Sequence, residues 1–293
     1  MNITQKKLEL EGIVYKPSKP FEATLVESTR ITGADSPDDI RHLLIEFKGS
    51  GIHYKEGQSI GVIVPGEDER GKRNRPRLYS IASARGGEGG QEGILALTVK
   101  RVIFTDEETG KIVKGLASNY LCDLTPGEKL LITGPVGRTF ILPEDDTTDL
   151  IMVAVGTGIA PFRAFLHHIY KERKSWNGNL FLFFGAKTGM EAIYMNDENN
   201  DIGQYYEEET FKAFQALSRS GEKKYVQHSI EENQEAIWET IEKKNFSFYL
   251  CGLKGVEEGI NDLFEKVADS KGKNWEEMRE EFKQEKRWHI EVY

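Results

Sequence analysis

Residues 149–155, Asp-Leu-Ile-Met-Val-Ala-Val, run straight into residues 156–161, Gly-Thr-Gly-Ile-Ala-Pro, and together they decide the fold. The first piece is a continuous apolar run, the pattern of a strand buried on both faces. In the second, glycines allow a tight turn and close approach of another backbone, and Pro161 suits the first helical position. The free N–H groups at the start of such a helix attract phosphate. A Gly-x-Gly turn also occurs as plain structure. Placed after the first buried strand of a βαβ series, it points to dinucleotide binding.

Downstream, strand and helix patterns alternate. A helix from about Pro161 leads to a strand over 180–184, an acidic helical region ending near Leu217, and a strand over 224–230. A helix over 232–244, a strand over 246–251, helices near 256–268 and 274–286, and a terminal strand follow. Such a series builds a mostly parallel sheet covered by helices. Upstream the pattern differs. Six short apolar runs, 22–31, 41–49, 59–66, 77–83, 94–104 and 129–137, are broken by turn residues and suggest an antiparallel β-barrel. Ser118-Asn119-Tyr120-Leu121 can start a short helix with Ser118 as its N-cap. The expected division is a partly ordered leader over 1–20, a barrel domain over 21–145 and an α/β domain over 146–293.

Composition narrows the function classes. The chain has 293 residues and a net charge of −9, of which −1 falls in residues 1–145 and −8 in the remainder. That balance argues against nucleic acid as a main partner and places any acidic partner on the first half. No apolar run approaches the roughly 20 residues of a membrane span. Residues 1–12 lack the apolar core of a signal peptide. Two cysteines, Cys122 and Cys251, exclude a disulfide scaffold and a cysteine-rich metal site, and fit a reducing compartment. The expected location is cytoplasmic, or the plastid stroma if a transit peptide is missing.

Several residue groups could carry chemistry. On a strand, Arg77, Tyr79 and Ile81 share one face, so Arg77 could hold a diphosphate and Tyr79 could stack on a planar ring, with Ser80 at that ring's edge. Lys114, Gly115, Leu116, Ala117 and Ser118 offer N–H donors for phosphate. The second α/β strand ends Phe184-Gly185-Ala186-Lys187, without the carboxylate that NAD-preferring sites offer a ribose hydroxyl. Ser218, Arg219, Lys223, Lys224 and Tyr225 instead suit a 2′-phosphate beside a stacked adenine. At the end of the chain, residues 289–293, His-Ile-Glu-Val-Tyr, alternate apolar and polar and stop on an aromatic that can lie over a ligand. The plainer alternatives are barrel wall, solvated loop cations and an ordinary edge strand.

Nine motifs occur in one order: RLYSIAS (77–83), VKRVIF (99–104), KGLASNYLCDL (114–124), TGPVG (133–137), GTGIAPFRAFL (156–166), LSR (217–219), KKYVQ (223–227), CGLKG (251–255) and EVY (291–293). In these the chain resembles plant-type ferredoxin–NADP(+) reductases, from about residue 20 to its last residue. The resemblance implies a flavin-binding barrel followed by an NADP-binding domain, with FAD and NADP as cofactors. It implies that Arg77, Leu78, Tyr79 and Ser80 bind FAD, with Tyr79 stacked on one flavin face and Ser80 near N5. It assigns the FAD diphosphate to residues 114–118 and places Val99, Lys100 and Arg101 on the strand flanking FAD. Phe104 stands where the family often has a Tyr stacked on the FAD adenine, which keeps stacking and loses a hydroxyl. Thr157 and Gly158 would hold the NADP diphosphate, and Ser218, Arg219, Lys223, Tyr225 and Gln227 the adenosine 2′-phosphate end. The short segment between Arg219 and Lys223 leaves Lys223 and Lys224 as rival phosphate ligands. Cys251 would border the nicotinamide, Glu291 would join a network with Ser80, and Tyr293 would cover the second flavin face.

The implied reaction passes single electrons from ferredoxin or flavodoxin, through FAD, to NADP(+) as a hydride, or the reverse. An acidic carrier would dock on Lys72, Arg73 and Arg75, with Lys283, Lys286 and Arg287 near the terminal strand. Two other readings are a reductase component serving an oxygenase and a non-catalytic flavin-binding docking module. Two cysteines cannot hold an iron–sulfur cluster that needs four.

Overall fold

The structure is a computed structural model that describes residues 12–293; residues 1–11, most of the expected leader, lie outside the described residues. The chain forms two compact units. One comprises the chain up to Thr32 together with Pro37–Ile141, the other Gly33–Ser36 together with Leu142–Tyr293.

The first unit is an antiparallel barrel. Its strands are β1 (Phe21–Arg30), β2 (Ile40–Glu46), β3 (Ser59–Ile63), β4 (Arg77–Ser80), β5 (Ile94–Lys100), β6 (Ile103–Thr105), β7 (Ile112–Lys114) and β8 (Lys129–Val136). Six of them form one sheet in the order β4-β3-β8-β1-β2-β5. An antiparallel bridge between Ile81 and Leu97, beside a bond from Ala82 N–H to the Ala96 carbonyl (2.8 Å), joins its two ends. Leu25, Leu43, Ile45, Ile60, Val62, Leu95, Leu97 and Ile132 fill the interior. They come from the inward positions of alternating strands, as closure requires. The helix α1 (Leu116–Asp123) adds Leu121 and Cys122 to that core.

Two local readings change here. The run 94–104 makes two strands, and its second part, β6, pairs with β7 as a separate hairpin. The cap of α1 is Gly115, and Ser118 lies inside the helix. A Cβ on residue 115 would stand 2.7 Å from Ser118 Oγ and 3.0 Å from Val102 Cβ, so a larger residue there would have to displace Ser118 and Val102. Ser118 Oγ instead accepts from Val102 N–H (3.2 Å) and donates to the Gly115 carbonyl (3.3 Å).

The second unit is a parallel sheet with helices on both faces. Its strands are β9 (Asp149–Val155), β10 (Leu180–Ala186), β11 (Phe211–Leu217), β12 (Phe246–Gly252) and β13 (Trp288–Val292), in the order β11-β10-β9-β12-β13. A 3-10 turn (Gly156–Ile159) and α2 (Ala160–His167) follow β9, and every α2 residue is buried. Phe165 of α2 meets the Tyr249 ring edge-on at 5.2 Å. The opposite face carries α3 (Val226–Glu232), α4 (Gln234–Glu242), α5 (Val256–Ser270) and α6 (Trp275–Gln284). Ile151, Val153, Phe183, Phe248 and Leu250 meet Ile237, Ile260 and Phe264 there.

The expected helix before Leu217 and strand over 224–230 exchange roles. Residues 211–217 pair in parallel with β10, from Leu180 opposite Phe211 to Ala186 opposite Leu217. As an edge strand β11 buries little, and its mixed Lys, Ala and Gln content hides the period-2 pattern. Residues 226–232 form a helix because Val226 and Ile230, four apart, both enter the core. Gly33–Ser36 is stitched to this unit through Gly33 N–H to the Met190 carbonyl (3.4 Å) and a hydrogen bond from Ser36 to the buried Glu191.

Candidate functional site

In the second unit the chain leaves β9 towards β10 on one side, and β12 later enters on the other. Ligands of open α/β sheets bind at such a reversal, beyond the carboxyl ends of the strands. The 3-10 turn sits there. Gly156 takes φ +59, and a Cβ placed on it would meet nothing within 4 Å, so its surroundings are open. Gly158 is the reverse, since a Cβ would lie 2.0 Å from the Cys251 carbonyl oxygen. The turn therefore packs backbone to backbone on the end of β12. At the start of α2 the Ala160 N–H bonds the Thr157 carbonyl and Pro161 has no N–H. The N–H groups that can meet an anion are therefore those of the 156–158 turn, with that of Gly158 directed at the Tyr293 hydroxyl.

The strand β13 supplies the other side of this site. Its register sets Tyr249 beside His289 and Cys251 beside Glu291. Trp288, Ile290 and Val292 pack into the core, so His289, Glu291 and Tyr293 alternate to the opposite face. The His289 ring stacks on Tyr249 (4.6 Å, 19°), and burial holds its pKa down to about 4. Burial pushes the Glu291 carboxyl up to about 7. Burial, with the Glu291 charge, also pushes the Cys251 thiol up, so Cys251 stays a neutral thiol. Tyr293 hydrogen-bonds through its hydroxyl to Thr157 Oγ1 (2.7 Å), and the residue remains 56% exposed.

The raised Glu291 carboxyl makes stability depend on pH. Its native pKa lies above the unfolded value, so the folded state holds the extra proton between about pH 4.5 and 7, and stability falls as pH rises through that window. Glu291→Gln is expected to remove this loss, on the order of 1–2 kcal/mol after allowance for partial exposure. Thermal unfolding of parent and variant at both ends of the window measures it. A gap that does not widen towards high pH contradicts the assignment.

Beyond β10 and β11 lies the cationic group. The Ser218 hydroxyl donates to the Ala186 carbonyl (3.3 Å), and Arg219 N–H donates to the Lys187 carbonyl (2.7 Å), which fixes this loop to the end of β10. Lys223 Nζ lies 5.1 Å from the centroid of the exposed Tyr225 ring, while Lys224 pairs with Glu232. Gln227 stands beside Gly259 of α5.

In the first unit, β4 is paired on one side only, by β3. Arg77 is exposed, Leu78 is 63% exposed, and Tyr79 and Ser80 are half-buried. Burial raises the Tyr79 phenol to about 12, so the ring presents a neutral face. The hairpin β6–β7 leaves Ile103, Phe104 (53%) and Ile112 exposed, and Leu116 at the start of α1 joins them. Exposed apolar groups of this density mark a ligand or partner surface. With the uncapped start of α1, they fit a group that has flat rings and a diphosphate.

Val99 is buried in the barrel, and Lys100 pairs with Asp38 (2.7 Å). The Arg101 guanidinium is enclosed by Asp39 (2.9 Å), Asp123 (2.6 Å), the Cys122 carbonyl (3.0 Å) and Asn119 (3.4 Å). Hydrogen bonds from Arg101 and Arg41 hold the Asp39 carboxyl low against the opposing effect of burial. Arg101 thus ties β5 to α1, a task its sequence context did not announce. Of the proposed docking cations, Lys72 and Arg75 are exposed, and Arg73 donates to the Pro17 carbonyl (3.2 Å). In the second unit Lys286 is exposed, Lys283 pairs with Glu280 (2.7 Å), and Arg287 lies 4.6 Å from both the Phe246 and Phe282 rings. The sequence reading also missed Glu56, a fully buried carboxylate that Arg85 grips through Nε (2.9 Å), Nη2 (2.6 Å) and its backbone N–H (2.7 Å).

Comparison with known proteins identifies both domains. Residues 25–141 match the oxidoreductase FAD-binding domain and residues 152–262 the oxidoreductase NAD-binding domain. The chain is 40% identical to the cyanelle ferredoxin–NADP reductase of Cyanophora paradoxa over 99% of its length and 81% of that protein's. It is 40% identical to the chloroplastic ferredoxin–NADP reductase of Spinacia oleracea, covering 98% and 80% of the two chains. The fold matches the ferredoxin–NADP+ reductase of Plasmodium falciparum with a TM-score of 0.75, 24% identity, and coverage of 96% of this chain and 100% of that one. With two cofactor domains in the same order and relatives aligned along nearly its whole length, the chain belongs to the ferredoxin–NADP reductase family of FAD-dependent oxidoreductases.

Proposed function

We propose that the chain exchanges electrons between an acidic one-electron carrier, ferredoxin or flavodoxin, and NADP(+). The observation that carries this reading is the 3-10 turn at the sheet's reversal, with Cys251, Glu291 and Tyr293 gathered around it. FAD, when bound, supplies the conversion between single electrons and hydride. The chain's own residues bind, orient and hold protons. Arg77, the start of α1 and Phe104 anchor that cofactor, Tyr79 offers it a neutral ring, and Ser80 its hydroxyl. Val99 and the Arg101 network keep β5 and α1 rigid behind it. Thr157 and Gly158 receive the dinucleotide diphosphate, and Ser218, Arg219, Lys223, Tyr225 and Gln227 receive its 2′-phosphate end. Lys223 is the better phosphate ligand, because Lys224 is neutralised by Glu232.

Cys251 gives the nicotinamide a small neutral neighbour, Glu291 can hold or release a proton near neutral pH, and Tyr293 keeps the nicotinamide's place covered until it arrives. Ser80→Val is expected to slow hydride transfer far more than it weakens FAD retention; stopped-flow rates equal to the parent's contradict that role. The carrier docks on Lys72 and Arg75, with Lys286 as the exposed cation near β13. Among the described residues no helix is long and apolar enough to cross a membrane. The two free, buried thiols fit work in a reducing compartment, the cytoplasm or a plastid stroma.

The test is reduction of ferredoxin and of a dye by the FAD-loaded protein, with NADPH and with NADH, across a salt series. The expected result is strong NADPH preference, with the ferredoxin rate falling as salt screens docking while the dye rate holds. NADH preference, or a ferredoxin rate indifferent to salt, contradicts the proposal.

A further inference from the structure

The terminal aromatic is held from both ends, and the two holds have different chemistry. Tyr293 N–H donates to the Gly252 carbonyl (3.0 Å), and its carbonyl accepts from Lys254 N–H (3.4 Å), so its backbone hangs on the last residue of β12 and the loop after it. The far end of the ring is held by the bond between its hydroxyl and Thr157 Oγ1 (2.7 Å), with the Gly158 N–H of the same turn also directed at that hydroxyl. Between these points the residue is more than half exposed, so packing alone does not set its place.

Thr157 has a second claim on its oxygen. It lies in the turn whose open side is defined by Gly156 and whose own N–H groups, at residues 156–158, precede α2. An anion seated on those N–H groups lies beside the Thr157 hydroxyl, a side-chain donor of the same turn. A hydroxyl has one proton to give. Once it donates to a phosphate oxygen, it can only accept from Tyr293, and a shift of the side chain towards the phosphate ends that bond too.

We propose that Thr157 is a positioning residue that latches Tyr293, and that a diphosphate seated on the 156–158 turn opens the latch. This rests on the dinucleotide reading above. It makes the phosphate end of the ligand, far from the reacting atoms, release the ring that covers the nicotinamide's place. Diphosphate and nicotinamide binding are then coupled through one hydroxyl, and a ligand without a diphosphate cannot trigger release.

The test uses the full chain, FAD-loaded and labelled with 3-fluorotyrosine, with the Tyr293 resonance assigned by its loss in Tyr293→Phe. Two fragments lacking nicotinamide serve as probes: 2′-phospho-ADP-ribose, which carries a diphosphate, and 2′-AMP, which does not. In the parent, 2′-phospho-ADP-ribose is expected to shift and narrow the Tyr293 signal, and 2′-AMP to leave it in place. Thr157→Val is expected to show the released signal without ligand, its released population raised about fivefold, the scale of one net hydrogen bond. Thr157→Ser, which keeps the hydroxyl, restores the parent behaviour. A parent-like Tyr293 signal in Thr157→Val overturns the latch. Binding of 2′-phospho-ADP-ribose, measured calorimetrically, without a change in the signal overturns the coupling. Binding of neither fragment overturns the dinucleotide reading, and the coupling with it, while the ligand-free Thr157→Val spectrum still decides the latch.

Discussion

A Gly158→Ala variant is expected to bind NADP(+) about 100-fold more weakly than the parent, the equivalent of about 3 kcal/mol of steric overpacking. The added methyl would start 2.0 Å from the Cys251 carbonyl oxygen, 2.5 Å from its carbon and 2.9 Å from Gly252 nitrogen. No rotamer relieves a Cβ contact with backbone, so the turn and the end of β12 must separate. That separation displaces Thr157, the N–H groups of the 156–158 turn, and the residues that hold Tyr293. Gly156→Ala provides the contrast: its site is open, but φ +59 makes a side chain there strained, so the cost is of another kind. Equilibrium titration with NADP(+), alongside the melting temperature, separates loss of the site from loss of the domain. Parent-like affinity in Gly158→Ala contradicts the backbone contact.

Trp288→Ala is expected to destabilise the second unit by about 3–5 kcal/mol, as for other buried large aromatics. Trp288 is 6% exposed and stacks on Phe248 at 3.8 Å and 8°, with Phe264, Trp275 and Phe282 around it. It faces Phe248 in register, so this single ring joins the edge strand to the sheet's core. Its removal leaves a cavity under β13, whose ladder has a partner on one side only. The Glu291 and Tyr293 positions are therefore expected to fray before the unit unfolds. Urea unfolding followed by near-ultraviolet circular dichroism measures the first effect, and hydrogen exchange over 288–293 the second. A change under about 1 kcal/mol, the scale of an exposed substitution, contradicts a core role.

The sequence was legible where a pattern had one physical cause. Residues 150–155 are apolar throughout because β9 is the central strand, and the glycine turn after them is where the chain reverses. The terminal strand was readable too, since Ile290 and Val292 alternate with Glu291 and Tyr293. Edges were harder. Strand β11 has a neighbour on one side only, so its composition carries little constraint, while Val226 and Ile230 share a helix face that also satisfies a strand pattern. Contacts between distant residues were not legible at all. Nothing near Arg101 in sequence announces Asp39, Asp123 and Asn119 as its partners, and the burial of Glu56 beneath Arg85 is a product of the barrel's closure. The Thr157–Tyr293 bond spans 136 positions and follows only from the order of strands.

Central to the proposed function is Tyr293 as the removable cover of the nicotinamide's place. NADPH and NADH carry the same nicotinamide and differ at the 2′-phosphate that Ser218, Arg219 and Lys223 are proposed to hold. If the ring must leave after the phosphate end has bound, NADPH stays anchored by its 2′-phosphate until the ring departs, whereas NADH dissociates first. The ring then lowers kcat/KM for NADH more than for NADPH. The most direct measurement is the ratio of kcat/KM for NADPH to that for NADH, with a dye acceptor, in the parent and in Tyr293→Ser. The expected result is tighter NADP(+) binding and a ratio reduced about tenfold or more, the equivalent of about 1.4 kcal/mol of lost discrimination between the two ligands. An unchanged ratio in Tyr293→Ser contradicts the role of Tyr293 as that cover.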